Sequence, residues 1–174
     1  MENEFKFFWM NPKLEVRADT IGGKGTFARE NIKKGERLLV MGGYITEIKD
    51  ELNLPEEFND NGLQITEDLV LSIRDRYHLG GINFFNHSCN PNAGLNGQIF
   101  LVAMKDINTD NEIVFDYAMT LCRSKNAPDY SMPCRCGFTD CRGIITDEDW
   151  KIPELQKKYE GYFQYYLQEK INQL

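Results

Sequence analysis

Residues 86–92 read N-H-S-C-N-P-N, and they follow the apolar run I-N-F-F at residues 82–85. The chain has only two histidines and five cysteines, so this heptapeptide holds a large share of its metal-binding and nucleophilic side chains. A catalytic cysteine–histidine pair needs a spatial arrangement that positions so close in sequence rarely provide. The heptapeptide therefore favours a binding loop over a hydrolytic site.

Three further cysteines form the cluster C-R-C-G-F-T-D-C at residues 134–141, with C-x-C-x4-C spacing. Three thiolates so close cannot all pair as disulfides, but they can surround one tetrahedral zinc ion. A structural zinc site needs a fourth ligand. The candidates are Cys122, twelve residues before Cys134, and Cys89 in the heptapeptide. If Cys89 is the fourth ligand, the metal ties the C-terminal segment to the heptapeptide. Free buried cysteines without a metal fit this spacing less well.

The composition is that of a globular protein with a single domain. A chain of 174 residues, 41% of them hydrophobic, can bury a core without disulfides, and an odd number of cysteines argues against a disulfide framework. The net charge of −7 argues against direct nucleic-acid binding and favours a basic peptide or protein as partner. No apolar run approaches the ~20 residues of a membrane helix, and the acidic N-terminus is unlike a secretory signal. We therefore expect no membrane contact and an intracellular protein, cytoplasmic or, in a eukaryote, nuclear.

Short strands separated by glycine and asparagine turns dominate the middle of the chain. The predicted strands are residues 36–41, 44–48, 63–66, 69–73, 98–104 and 112–115. The turn L-N-G-Q at residues 95–98 predicts a hairpin. From Asp147 onward, apolar residues recur at helical spacing and Pro153 suits a first helical turn, although Gly161 weakens the pattern. We predict a C-terminal helix whose apolar stripe packs on the core.

Four segments together resemble the SET-domain protein lysine methyltransferases. They are G-G-K-G-T-F-A at residues 22–28, F-F-N-H-S-C-N-P-N at 84–92, N-E-I-V-F-D-Y at 111–117 and C-R-C-G-F-T-D-C-R-G at 134–143. The resemblance implies a mostly β (α+β) fold, the SET-domain β-clip of short strands with a pseudoknot-like crossing. It divides the chain into an N-terminal extension (1–13), a SET domain (14–120), a post-SET zinc segment (121–146) and a C-terminal helix (147–174).

The resemblance also assigns roles to individual residues. Tyr117 is implied to be the catalytic residue that orients the substrate amine, and the lysine channel is implied to involve Met41, Leu95 and Phe115. The implied zinc ligands are Cys89, Cys134, Cys136 and Cys141. The residues implied to hold S-adenosylmethionine are Gly22, Gly23, Lys24, Gly25, Phe84, Asn86, His87, Tyr117 and Ile144. A core position for Ile144 fits the sequence equally well.

The function implied is S-adenosylmethionine-dependent N-methylation of a lysine in a basic peptide or protein, histone or non-histone, with zinc in a structural role. Two residues depart from the family pattern: Met41 stands where tyrosine is usual, and Asn83 stands where arginine is usual. These departures favour the alternative of a non-catalytic, zinc-stabilised SET-fold binding module.

Overall fold

The computed structural model describes residues 8–19, 23–56, 58–59, 62–73 and 82–174, so Gly22 and His78 lie outside the described residues. The described strands are β1 (Trp9–Met10), β2 (Leu14–Ala18), β3 (Lys24–Ala28), β4 (Arg37–Val40), β5 (Tyr44–Glu47), β6 (Leu63–Gln64), β7 (Leu69–Ser72), β8 (Asn86–His87), β9 (Ala93–Asn96), β10 (Phe100–Ala103), β11 (Val114–Phe115), β12 (Ser131–Pro133) and β13 (Ile144–Thr146). The α-helices are α1 (Ile48–Glu51), α2 (Pro153–Lys158) and α3 (Tyr165–Ile171). None of the helices in these ranges has the length and apolar character needed to cross a membrane.

Antiparallel pairing of short strands accounts for most of the fold. The largest sheet has the order β1-β4-β10-β9, and a second sheet has the order β5-β7-β6. Two further pairs, β2 with β3 and β12 with β13, are also antiparallel, whereas β8 pairs with β11 in parallel. The predicted hairpin is β9–β10, and its turn contains Gly97 at a φ of 72°, which glycine adopts without steric cost.

All six predicted strands are present, each one to three residues shorter than predicted. Seven described strands were not predicted, among them β2, which precedes the glycine-rich loop, and β3, which begins within it. The mostly-strand architecture expected from the sequence is confirmed.

One core cluster joins the large sheet to the C-terminal segment. Leu39, Leu95 and Leu101 come from neighbouring strands of the sheet, and Tyr159 and Leu167 come from the C-terminal segment; all five are fully buried. The apolar spacing after Asp147 therefore marks core packing, as the sequence predicted.

The C-terminal segment forms two short helices instead of the single helix predicted for residues 147–174. α2 ends at Lys158, and Gly161 adopts a φ of 79°, a left-handed conformation that interrupts the helix. Beyond α2, the Tyr162 carbonyl accepts a hydrogen bond from the Leu95 N–H at 3.0 Å, and a Cβ atom at Gly94 would lie 2.8 Å from the Tyr162 side chain. The break thus docks the segment closely against β9.

Candidate active site

The heptapeptide at residues 86–92 lies against the strand that leads into F-D-Y. β8 and β11 run parallel, with Asn86 opposite Val114. Asn92 binds the other end of the heptapeptide to the segment around β11. Its side-chain oxygen accepts a hydrogen bond from the Val114 N–H at 2.9 Å, and its amide donates to the Glu112 carbonyl at 2.7 Å. The amide can do both because it carries a donor and an acceptor. These contacts build the pseudoknot-like crossing expected from the sequence.

His87 links this crossing to the cysteine cluster through both ring nitrogens. Nδ1 accepts a hydrogen bond from the Tyr117 N–H at 3.2 Å, which places the ring proton on Nε2, 3.5 Å from the Sγ atom of Cys89. Burial lowers the pKa of His87 to about 4 and outweighs the Asp116 carboxylate 3.7 Å away. The neutral ring therefore acts as a hydrogen-bond link between the Tyr117 backbone and the Cys89 sulfur.

Four cysteines form one cluster whose Sγ atoms all lie within 4.8 Å of one another: Cys89, Cys134, Cys136 and Cys141. Four sulfurs bound tetrahedrally to zinc at about 2.3 Å would lie about 3.8 Å apart. The Cys89 and Cys134 sulfurs are 3.9 Å apart, so the number, spacing and chemistry of the donors fit a zinc ion.

Backbone N–H groups point at the sulfurs of this cluster. The Arg142 N–H lies 3.5 Å from the Cys89 Sγ atom, and the Gly143 N–H lies 3.3 Å from that of Cys141. Such donors favour thiolates, the form that binds zinc. Cys122, the other sequence candidate, lies apart: its N–H donates to the Gln64 side chain at 2.8 Å, and its sulfur does not belong to the four-sulfur cluster. The structure thus favours Cys89 over Cys122 as the fourth ligand.

A cavity of about 550 Å³, here called the first cavity, opens between the crossing and the cysteine-rich segment. Its lining includes three predicted cofactor residues, Asn86, His87 and Tyr117. It also includes the acidic residues Asp19 and Glu112 and the basic residue Arg135, to which the sequence interpretation had given no role. Opposite charges around one cavity suit a zwitterionic ligand, because each ionic end finds a partner.

The glycine-rich loop reaches the first cavity through Asn86. The Asn86 amide donates to the Lys24 carbonyl at 3.1 Å and to a carboxylate oxygen of Glu112 at 2.7 Å. A Cβ atom at Gly25 would lie 2.4 Å from that oxygen, so a larger residue there would displace the Glu112 side chain. The Lys24 ammonium lies 5.6 Å from the centroid of the Phe84 ring, which places this predicted residue beside the loop.

Gly23 and Ile144 each contact a residue that lines the first cavity. The Gly23 N–H donates to the Asp19 carboxylate at 2.7 Å. Ile144 pairs with Pro133 across β12 and β13, and it is 58% exposed. That exposure excludes the core position that the sequence left open for Ile144. Gly22 lies outside the described residues.

A smaller cavity of about 240 Å³, the second cavity, shares Tyr117 and Met132 with the first. Apolar side chains, including those of Phe85 and Phe115, form much of its lining. The Tyr117 hydroxyl donates to the Phe85 carbonyl at 3.4 Å, and its ring centroid lies 5.0 Å from that of Phe115. Tyr117 therefore borders both cavities.

Met41 and Leu95, predicted to line the substrate channel, belong to the core cluster. They are 4% and 0% exposed, and neither belongs to the described residues that line the second cavity. Leu95 lies on β9, where its backbone is bound to the C-terminal segment. Phe115 does line the second cavity, and so does Asn83, one of the two departures from the family pattern.

A buried ionic cluster that the sequence interpretation missed joins F-D-Y to the cysteine-rich segment. Asp116 is fully buried, and the Arg142 guanidinium binds its two oxygens at 2.6 and 2.7 Å. Arg142 also donates to Asp149 at 3.0 Å, and the Tyr159 hydroxyl donates to Asp116 at 2.9 Å. The available signal was an arginine directly after the last cysteine; the spacing around Tyr159 indicated only a core position.

A family model described as the SET domain matches residues 23–118. Among curated proteins, a histone-lysine N-methyltransferase, H3 lysine-4 specific, from Aspergillus oryzae is 29% identical over 135 residues. That alignment covers 70% of this chain but 10% of the relative, so the chain spans a small part of the curated protein it matches.

Solved structures share the fold. The methyltransferase domain of human histone-lysine N-methyltransferase SETMAR matches with a TM-score of 0.58 and 21% identity, over 78% of this chain and 58% of that one. KRYPTONITE, solved in complex with mCHG DNA and SAH, matches with a TM-score of 0.56 and 21% identity, over 75% of this chain and 28% of that one.

Proposed function

The chain belongs to the SET-domain family, and from this premise we propose that it transfers a methyl group from S-adenosylmethionine to a lysine side chain of a protein. The observation that carries the proposal is that Tyr117 borders two cavities, of which the first has acidic and basic residues in its lining and the second has neither among the described residues that line it. The first, with carboxylates and a guanidinium, suits the zwitterionic methionine part of the donor. The second, smaller and lined partly by aromatic and aliphatic side chains, suits a lysine chain. The lysine nitrogen would attack the donor's methyl carbon where the cavities meet, and S-adenosylhomocysteine would leave.

The reaction needs a neutral amine, since a protonated one has no free electron pair. Free lysine has a pKa near 10.4, so deprotonation at pH 7 costs about 4.6 kcal/mol. An apolar channel reduces this cost because desolvation disfavours the ammonium form. Ile82, Phe85 and Phe115 supply such surroundings in the second cavity.

Tyr117 would orient this amine. Its hydroxyl and the Phe85 carbonyl lie 3.4 Å apart, so both are within reach of a nitrogen at the junction of the cavities. Holding nitrogen, methyl carbon and sulfur in line supplies the proximity contribution to catalysis. The reaction requires no metal at the transfer point, which leaves zinc a structural role at the cysteine cluster.

We further propose that the substrate is basic. Residues 45–80 contain nine Asp or Glu and three Lys or Arg, which concentrates the chain's net charge of −7 in one segment. β6 of this segment contributes Leu63 and Gln64 to the lining of the second cavity. The net negative charge of this segment would attract a positively charged peptide, histone or non-histone.

Two measurements test the proposed activity. Calorimetry with S-adenosylhomocysteine should show one binding site per chain, whereas no binding at millimolar ligand would favour a non-catalytic binding module. Incubation with methyl-labelled donor and a pool of basic peptides, followed by mass spectrometry, should locate the label on lysine. Peptides in which every lysine is replaced by arginine are the matched control, and equal labelling of both pools would contradict lysine specificity.

A further inference from the structure

We propose that Arg142 is a positioning residue that fixes the cysteine-rich wall of the first cavity onto Asp116, directly beside Tyr117. The inference rests on the proposed function only for its kinetic readout. Its basis is a set of contacts that Arg142 makes in three directions.

Arg142 joins three parts of the site. Its guanidinium binds both oxygens of Asp116 at 2.6 and 2.7 Å, in the two-point geometry that an arginine offers and a lysine does not. Its Nε donates to Asp149 at 3.0 Å, just before α2. Its backbone N–H lies 3.5 Å from the sulfur of Cys89 in the heptapeptide.

The interaction between Arg142 and Asp116 is enclosed. Asp116 is fully buried and the Arg142 side chain is 16% exposed, so water cannot readily replace either partner. The Asp116 oxygens also accept from the Ala118 N–H at 3.0 Å and the Tyr159 hydroxyl at 2.9 Å. A residue that replaced Arg142 without its two donors would leave a buried carboxylate only partly bound.

Both partners of the interaction between Arg142 and Asp116 are connected to residues that line the first cavity. On one side, Asp116 directly precedes Tyr117. On the other, the Gly143 carbonyl, next to Arg142, accepts from the Cys134 N–H at 2.8 Å, and Arg135 and Cys136 then line the cavity. A shift of Arg142 would therefore move the wall that carries Arg135 relative to Tyr117.

The test compares Arg142→Lys and Arg142→Gln with Arg123→Gln. Arg123 is a matched control because it also forms an ion pair, with Asp129, but its side chain is 54% exposed. Each protein is loaded with zinc, and zinc release to excess chelator is timed. Because outer contacts of metal ligands typically contribute about 10–100-fold in affinity or activity, we expect both Arg142 variants to release zinc about tenfold faster than the wild type, and Arg123→Gln to match it.

The kinetic readout separates positioning from general destabilisation. Folded, zinc-loaded Arg142→Lys should show a raised KM for the methyl donor and an unchanged KM for the peptide, because the displaced wall belongs to the first cavity. General loss of folded protein would lower kcat alone. Asp116→Asn should accelerate zinc release similarly, and its combination with Arg142→Gln should add little further, since both changes break one interaction.

The inference would be overturned if Arg142→Lys released zinc at the same rate as Arg123→Gln and its KM for the methyl donor were unchanged. If Arg142→Gln does not fold, Arg142→Lys and Asp116→Asn decide the question. Wild-type protein that binds no S-adenosylhomocysteine would contradict the proposed function, while the zinc-release comparison would still decide whether Arg142 anchors the segment.

Discussion

The hydroxyl of Tyr159 lies 2.9 Å from a carboxylate oxygen of Asp116, so the C-terminal segment touches the residue that precedes Tyr117. Burial, reinforced by the charge of Asp116, raises the pKa of Tyr159 well above its ordinary value, and the hydroxyl keeps its proton as a donor. The neighbouring Lys158 donates to the Cys89 carbonyl at 2.7 Å. The C-terminal segment therefore supports the site, although the family match ends at residue 118.

Replacing Tyr159 with phenylalanine should lower the free energy of unfolding by about 1–3 kcal/mol, because a buried carboxylate loses one of its donors. Urea denaturation followed by circular dichroism measures this change. Tyr165→Phe is the control, since Tyr165 is 59% exposed and its substitution should have little effect. Equal stability of the two variants would show that the Tyr159 hydroxyl contributes nothing.

Replacing Tyr117 with phenylalanine should reduce kcat about 100-fold, the order of loss expected when a reacting group is misplaced. The affinity for S-adenosylhomocysteine should change little, because the first cavity keeps its charged residues Asp19, Glu112 and Arg135. Steady-state kinetics and calorimetry together check both statements. Full activity of this variant would remove Tyr117 from the transfer step.

Replacing Cys89 with serine should abolish stoichiometric zinc binding, whereas Cys122→Ser should still bind one zinc per chain. The reason is that the Cys89 sulfur lies in the four-sulfur cluster and the Cys122 sulfur does not. Atomic absorption measures the metal content, and thermal unfolding with and without chelator measures the linked stability. The opposite pattern of metal loss would identify Cys122 as the fourth ligand.

Replacing Phe115 with tyrosine should reduce the number of methyl groups added to each lysine. The ring of Phe115 lies in the second cavity 5.0 Å from that of Tyr117, so an added hydroxyl would occupy space and bind the amine. Mass spectrometry of the product peptides counts the methyl groups. Phe138→Tyr, at a position that is 43% exposed, is the control. An unchanged product distribution would contradict the role of Phe115.

Local sequence signals predicted the elements that depend on local geometry. The β9–β10 hairpin follows from its L-N-G-Q turn, and the glycine at its tip has the positive φ that such a turn needs. β3 was missed because the glycines beside it indicate a loop, while its pairing with β2 depends on tertiary contacts. The sequence predicted one helix across Gly161, because neither its left-handed conformation nor the contact between Tyr162 and β9 follows from apolar spacing alone.

The functional residues divide in the same way. The spacing of Cys134, Cys136 and Cys141 indicated a metal site, and the structure adds Cys89 to their cluster. The channel positions of Met41 and Leu95 stay a prediction, because the direction of a side chain, toward core or channel, depends on how the strands pack. Arg142 was missed because its partner, Asp116, is distant in sequence.

The parallel contact between β8 and β11 also has a consequence for the order in which the chain folds. This ladder is only two residues long, and its strands are separated by the entire β9–β10 hairpin. Non-local pairing of this kind forms slowly, because the intervening loop must close before any contact stabilises it. The hairpin can form early, as the polypeptide leaves the ribosome. The hydrogen bond between Asn92 and Val114 can form only after residue 114 has been synthesised. The crossing that carries the candidate site is therefore expected to form last, after the sheets around it have packed.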